Sequence, residues 1–315
     1  MGEMKESTAH PAANNFLMTF LKLWLALIIF VLPLLFVPSI FSVYALPKTV
    51  LLIVGVLVGW GIVLVQNLKL KVKSPTTNYH LPIIPLLALA AVFIVSSLLQ
   101  PTAMMRINAL TGKTAIIFAG VLLALLISHP SSSSPILSLS LLSSLSSFLA
   151  STVVLALISI LQYVGLVSKW IAWPPLKQTI WTPTGSILTT LALILVAVVY
   201  LVVRLIKNIR ENQFAIGINL LILALLVILI LGEILGILAL IESKPLFISP
   251  TAAWVVTVEG FKTAKTALLG VGPGNFQIAY RRFRPMVVNS TPAWNFYFNS
   301  SFGEYLNLLT EVGLL

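Results

Sequence analysis

The sequence predicts an all-α, polytopic membrane protein: seven complete spans, the start of an eighth, and an outer loop carrying an amphipathic helix. Three observations predict it. Of 315 residues, 59% are hydrophobic and only 9% are charged, where a soluble domain carries about 25% charged residues. The apolar residues fall into runs near the ~20 residues that a spanning helix needs. Lys and Arg gather around the ends of those runs, the pattern by which a membrane chain is oriented.

The runs cover residues 16–38, 48–68, 81–99, 112–128, 142–167, 187–206 and 214–241. The first is longer than the ~7–15 apolar residues of a secretory signal core. It is therefore expected to stay as an anchor, although Val43 and Ala45 stand at cleavage spacing. Between the fourth and fifth runs, four serines at 131–134 lie between Pro130 and Pro135, and six more follow by Ser147. They read as a short linker entering a helix whose hydroxyls bond back to the backbone or to a neighbouring helix. Glu233 sits inside the seventh run. A carboxyl is expensive in lipid, so it is expected to face the bundle interior. An eighth apolar helix starts near Ser301. From there to Leu315 is fifteen residues, roughly 22 Å at 1.5 Å each, short of the ~30 Å core, so further chain is expected after it.

Domains follow from these runs: a bundle over 1–241, an extracytoplasmic loop over 242–300, and the start of a helix over 301–315. Lys69, Lys71, Lys73, Arg204, Lys207 and Arg210 flank connections on the side of the N-terminus. Lys48, Arg106, Lys113, Lys169 and Lys177 lie opposite. The positive-inside rule then places the N-terminus in the cytoplasm and 242–300 outside. The formal net charge of +11 is scattered over short flanks and one loop. It fits topology and phosphate attraction; no basic run is long enough for nucleic acid.

Composition also excludes chemistries. The chain has no cysteine, and all eight acidic residues are glutamates. Disulfides, thiolate nucleophiles, aspartyl-phosphate intermediates and Asp-ligated metal sites are ruled out. The residues call for no metal and no cofactor.

The outer loop carries the polar motifs. Ser249 followed by Pro250 reads as an N-cap and first helical residue. Trp254, Val258, Phe261 and Leu268 recur at helical spacing, and Gly270 supplies a stop. These predict one amphipathic helix at the membrane surface, anchored by Trp254. The stretch GVGPG at 270–274 invites a nucleotide-loop reading. It follows a helix rather than a strand and lacks the Gly-Lys-Ser/Thr of a phosphate loop. It is read instead as a tight turn whose glycines allow positive φ and close backbone approach. Arg281, Arg282 and Arg284 follow. Arginine presents a permanently charged fork suited to phosphate oxygens. From residue chemistry alone, a lipid-linked pyrophosphate and generic anionic headgroups are equally good partners. Ser301-x-x-Glu304 has the form of a capping box, which would make Glu304 chiefly a helix-start residue and a poor base. Helix eight then shows an apolar stripe at Tyr305, Leu308, Leu309 and Val312.

In order and spacing, Trp254, the turn at 270–276, the arginines at 281–284 and the segment FGEYLNLLTEVG at 302–313 resemble the O-antigen ligase and O-antigen polymerase superfamily. Pro183-Thr-Gly-Ser186 and the segment RINALTG at 106–112 add to the likeness. The detailed resemblance covers roughly a fifth of the chain, and the multi-span pattern extends it over most of the length. It implies a glycosyltransferase of the bacterial inner membrane. Such an enzyme moves a glycan from a polyprenyl-pyrophosphate carrier to a glycan, lipid or protein hydroxyl on the outer face. It implies that Arg281, Arg282 and Arg284 serve the leaving pyrophosphate, since arginines can neutralise its developing charge. Glu304 is then a candidate catalytic group, and Arg106, Gly272, Gly274 and Asn275 are candidate substrate contacts. One departure stands out: the family's histidine aligns with Phe302 and its asparagine with Gly303. The chain's three histidines, His10, His80 and His129, all fall on the cytoplasmic side. Two other readings remain: a transporter or flippase for a lipid-linked substrate, and a non-catalytic membrane assembly protein.

Overall fold

The computed structural model describes residues 11–38, 44–70, 83–128, 136–170, 173–211 and 216–314. All three histidines, Lys71, Lys73, Val43 and the serines at 131–134 lie outside the described residues. In chain order the α-helices are α1 (Pro11–Leu34), α2 (Ala45–Leu70), α3 (Ile83–Leu98), α4 (Ala103–Ala109), α5 (Ala115–Ser128), α6 (Ile136–Tyr163), α7 (Leu166–Trp170), α8 (Ile187–Arg210), α9 (Ile216–Ser243), α10 (Pro250–Gly260), α11 (Ala264–Leu269), α12 (Phe276–Phe283) and α13 (Glu304–Val312). A π-turn, Leu110–Thr114, joins α4 to α5, and two short 3-10 turns occupy Pro174–Lys177 and Met286–Ser290. No strand occurs among the described residues.

An all-helical chain is what lipid demands, because a helix satisfies its own backbone groups where water cannot. Among the described residues five helices are long and apolar enough to cross a membrane: Ala45–Val65, Ala103–Ile127, Ser144–Tyr163, Ile187–Arg210 and Ile216–Ser243. Thr19–Leu34 and Pro85–Leu98 are apolar but shorter. The fourth begins earlier than the apolar run at 112–128 suggests. Thr102 caps α4 by accepting from the Met105 N–H, and the helix passes through the π-turn, where Gly112 takes φ −93° and ψ −114°.

The described residues form two compact units. One draws on Met1–Thr76 and His129–Lys244, the other on Thr77–Ser128 and Pro245–Leu315. Residues 242–300 and 301–315, separated on composition, thus pack largely together, and with a segment far upstream.

In the first unit α6 packs against α1, α8 and α9. Small residues let α6 and α9 approach closely: a Cβ on Gly232 of α9 would lie 2.7 Å from that of Ala156 on α6. Backbones that approach this closely gain dispersion contacts, the main attraction left to helices in lipid. On α8 the buried residues Ile187, Thr190, Leu191, Ile194, Ala197 and Leu201 recur at helical spacing. The other face is apolar as well, with Leu195, Val199, Val203 and Ile206 exposed. A helix apolar all round is one whose outer face meets hydrocarbon. Glu233 lies on α9, and its Oε2 is buried without a hydrogen-bond partner among the described residues. The segment PTGS at 183–186 also belongs to this unit: Lys48 Nζ donates to the Pro183 carbonyl at 2.9 Å, and Gly185 takes φ +90° against the Tyr44 ring.

In the second unit α13 packs on α3, α10, α11 and α12. Its buried face is the polar one: Asn307, Thr310 and Glu311 are buried with Val312, while Tyr305 is exposed. Of the apolar stripe read from the sequence, Tyr305 is exposed, Leu308 and Leu309 are half-buried and Val312 is buried. The outer-loop helix turns most of its apolar stripe outward. Ser249 caps it through the Ala252 N–H with Pro250 at its start, as expected. Yet Ala252, Ala253, Val256, Thr257 and Gly260 turn inward, and Trp254, Val258 and Leu268 are exposed. The single expected helix is also two. It breaks after Gly260 and restarts at Ala264, because Thr263 takes an extended conformation and caps α11 through the Thr266 N–H.

Candidate functional site

Every candidate site residue lies in the second unit: Arg106 on α4, Gly272, Gly274 and Asn275 in the turn, Arg281 and Arg282 on α12, Arg284 at its end, and Glu304 at the start of α13. The glycine turn holds these segments in register. Val271 N–H donates to the Thr310 carbonyl at 3.0 Å and Gly272 N–H to the Glu311 carbonyl at 2.8 Å. The turn thus lies against the last turn of α13. Gly270 has φ +62° and ψ −165°, a region open essentially to glycine alone. A Cβ there would strike the Glu311 carbonyl.

Asn275 is buried. Its Nδ2 donates to the Val271 carbonyl, closing the turn, and to the Met105 carbonyl, each at 3.2 Å. The second bond ties the turn to the residue beside Arg106, so two motifs some 170 positions apart are joined by one side chain. A Cβ on Gly272 would meet the side chains of Asn275 and Gln100. Gln100 is itself fixed by donating to the Ser96 carbonyl at 2.7 Å. The structure gives Gly272 and Asn275 architectural work, whereas Gly274 is exposed.

The centre of the unit is a charge cluster that includes two residues absent from the sequence-derived site. Lys113 Nζ, presented by the π-turn, donates to Glu304 Oε1 at 2.7 Å and to Glu311 Oε2 at 3.0 Å. The Glu304 side chain is 65% exposed and that of Glu311 only 2%. The Gly274 N–H also bonds the Glu311 carboxylate. A buried carboxylate is tolerated only when such donors replace its water. The glycine turn folds over Glu311 and supplies one of them. Around it run further polar links: Thr257 to Thr310 at 2.8 Å, Ser97 to Thr114 at 2.7 Å, and Ser96 to the Leu269 carbonyl at 2.6 Å.

The capping box does not form. Gly303 is the N-cap of α13 and offers no side-chain bond. Ser301 Oγ is buried without a partner among the described residues. The Ser301 N–H instead donates to Asn307 Oδ1 at 3.2 Å. Glu304 is drawn away from the backbone because Lys113 offers a full charge, and a charge-assisted bond is roughly twice as strong as a neutral one. Its carboxylate therefore stands at the surface.

The arginines divide by environment. Arg284 is a strut: it donates to the Trp294 carbonyl at 2.7 Å and to Asn289 Oδ1, bracing the segment that leaves α12. Arg281 stacks over Tyr297 at 4.6 Å from the ring centroid, and Arg282 lies 5.3 Å from the Phe283 ring. Both are exposed, and neither is in an ion pair among the described residues. Such stacking orients a guanidinium while leaving its donor edge free. On the same helix Tyr280 is fully buried. Burial pushes its hydroxyl pKa above the usual value, and the nearby Arg284 charge pulls it partly back. Phe302, where the family motif has histidine, is exposed and offers no proton-transfer group.

Geometrically, the unit presents two free guanidiniums and an exposed carboxylate held by a lysine, all on a turn-and-helix scaffold pinned by a buried charge. Comparisons of the chain with protein-family models, with curated proteins and with solved structures return no match.

Proposed function

We propose that the chain is a glycosyltransferase of the O-antigen ligase and polymerase kind, seated in a bacterial inner membrane through seven spans with its N-terminus in the cytoplasm and residues 242–300 outside. One observation supports this most: Arg106, the glycine turn, Arg281, Arg282 and Glu304 come from segments distant in sequence yet belong to one compact unit. In this reading a polyprenyl-pyrophosphate-linked glycan docks with its phosphates toward Arg281 and Arg282, with Arg106 as a further cation. The acceptor oxygen attacks the anomeric carbon, and the bond from that carbon to the pyrophosphate oxygen breaks. The pyrophosphate leaves as an anion that the guanidiniums stabilise. The acceptor proton passes to Glu304. The hydroxyl proton becomes acidic as the new bond forms, which lets the carboxylate take it.

The direct test is glycan transfer from a lipid-pyrophosphate donor in proteoliposomes. Glu304→Gln keeps an acceptor for Lys113 while removing the base, so transfer is expected to fall about a hundredfold with folding unchanged. Full activity in that variant would remove Glu304 from the mechanism, and donor translocation without transfer would favour a flippase. Topology is checked separately. In oriented cells, a cysteine at Ser290 is expected to react with an impermeant thiol reagent, and one at Ser74 is expected to stay protected. The reverse pattern would put the arginines on the wrong side for an outer-face transferase.

A further inference from the structure

The second unit contains a cavity of about 400 Å³ between the start of α10 and the segment that follows α12. That volume lies within the ~300–1,000 Å³ of small-molecule sites. Its wall is largely apolar, with Phe247, Ile248, Ala252, Val255, Val288 and Phe298 among its residues. Tyr280 also lines it. The tyrosine is fully buried; the Arg284 guanidinium beside its hydroxyl can only donate, so the O–H finds no acceptor among the described residues. The other hydroxyls of the wall are engaged: Ser249 accepts from the Ala252 N–H at 3.2 Å and meets Thr251, and Thr291 donates to the Val288 carbonyl at 2.7 Å.

A buried donor left unpaired is costly, so an occupant that brings an acceptor is favoured. Water is a poor one here. An ordered water needs two to four polar partners, and among the described residues Tyr280 is the one wall side chain with an unsatisfied polar atom. The fitting occupant is a hydrocarbon chain with an oxygen acceptor at its head. We propose that the cavity holds a fatty acyl chain of a membrane phospholipid, with Tyr280 donating to the acyl ester carbonyl. The phospholipid is the natural source, because the chain's long apolar helices place it among such lipids. A polyprenyl phosphate also carries oxygen acceptors at its head, but they are charged, and this apolar wall favours the neutral ester carbonyl. The site therefore stands independently of the transfer reaction.

The test uses the full chain reconstituted with a phosphatidylglycerol bearing a photoreactive diazirine on one acyl chain. After illumination, adducts are mapped by peptide mass spectrometry. Expected are adducts on the buried wall residues Ala252 and Tyr280, displaced by excess unlabelled phosphatidylglycerol but not by polyprenyl phosphate. Tyr280→Phe keeps the ring and the cavity shape, and should reduce labelling of Ala252 about fivefold, the scale of one net hydrogen bond. Ala252→Leu, which fills the cavity, should abolish it. Adducts confined to exposed Met286 and Trp294 would mean annular lipid only and overturn the proposal. Equal labelling in Tyr280→Phe, or displacement by polyprenyl phosphate as good as by phospholipid, would overturn it too.

Discussion

Glu311→Ala is expected to be the most destabilising single change in the second unit. The carboxylate accepts from Lys113 Nζ at 3.0 Å and from the Gly274 N–H, at almost no exposure. Removing it leaves the half-buried lysine facing a void and the turn without its anchor. Breaking a buried pair from one side costs about 3–5 kcal/mol. Glu304→Ala removes the other acceptor of the same lysine, but from a side chain 65% exposed, where a pair is worth about 0–1 kcal/mol. Glu311→Gln, which retains an acceptor, should fall between them. Limited proteolysis of the 245–315 segment in detergent, run over a temperature series, reads all three. Equal resistance of Glu311→Ala and Glu304→Ala would show that the turn is not built on Glu311.

That ordering was hidden from sequence reading for a physical reason. In water, apolar residues point inward, and a stripe such as Tyr305, Leu308, Leu309 and Val312 marks the buried face. In lipid the outside is as apolar as the core, so the stripe loses its direction. Polar side chains then mark the interior, and α13 buries Asn307, Thr310 and Glu311. In the sequence Lys113 reads as a topology charge and Glu311 only as part of the segment at 302–313. Yet each is a lone charge in an apolar run, which in a membrane protein signals a buried partner. The signal was present, and pairing the two residues needed the fold.

Other features were legible because they are local. Long apolar runs without strand punctuation specify helices, and Ser249 with Pro250 starts α10 where their chemistry says it should. The glycine turn was also recognisable as a turn, since positive φ is a backbone requirement at Gly270, Gly272 and Gly274. What it wraps was not, because Glu311 lies some 40 residues downstream. The capping box failed on the same ground. Ser301-x-x-Glu304 describes a local competition, and Lys113 wins it from 191 positions away.

Simultaneous loss of Arg281 and Arg282 is expected to give the largest loss of function without loss of fold. Neither side chain holds the structure: one stacks on Tyr297, the other on Phe283. Arg284 differs, since its donors brace Trp294 and Asn289, so Arg284→Ala should loosen the segment to 294. If both free guanidiniums grip a departing pyrophosphate, each alanine removes a charge-assisted contact worth about 1.5–3 kcal/mol. That is roughly ten- to a hundredfold in kcat/KM per residue. Lysine in place of either keeps the charge but loses the planar fork and much of the ring stacking. The double lysine variant should therefore recover only part of the transfer rate. Unchanged transfer in a folded double alanine variant would break the link between this helix and the proposed reaction. The lysine pair gives the finer discrimination. Full recovery by lysine would mean that the cluster acts as bare positive charge, as in generic attraction to headgroups. Partial recovery would favour bidentate recognition of the leaving group, because only the fork distinguishes the two.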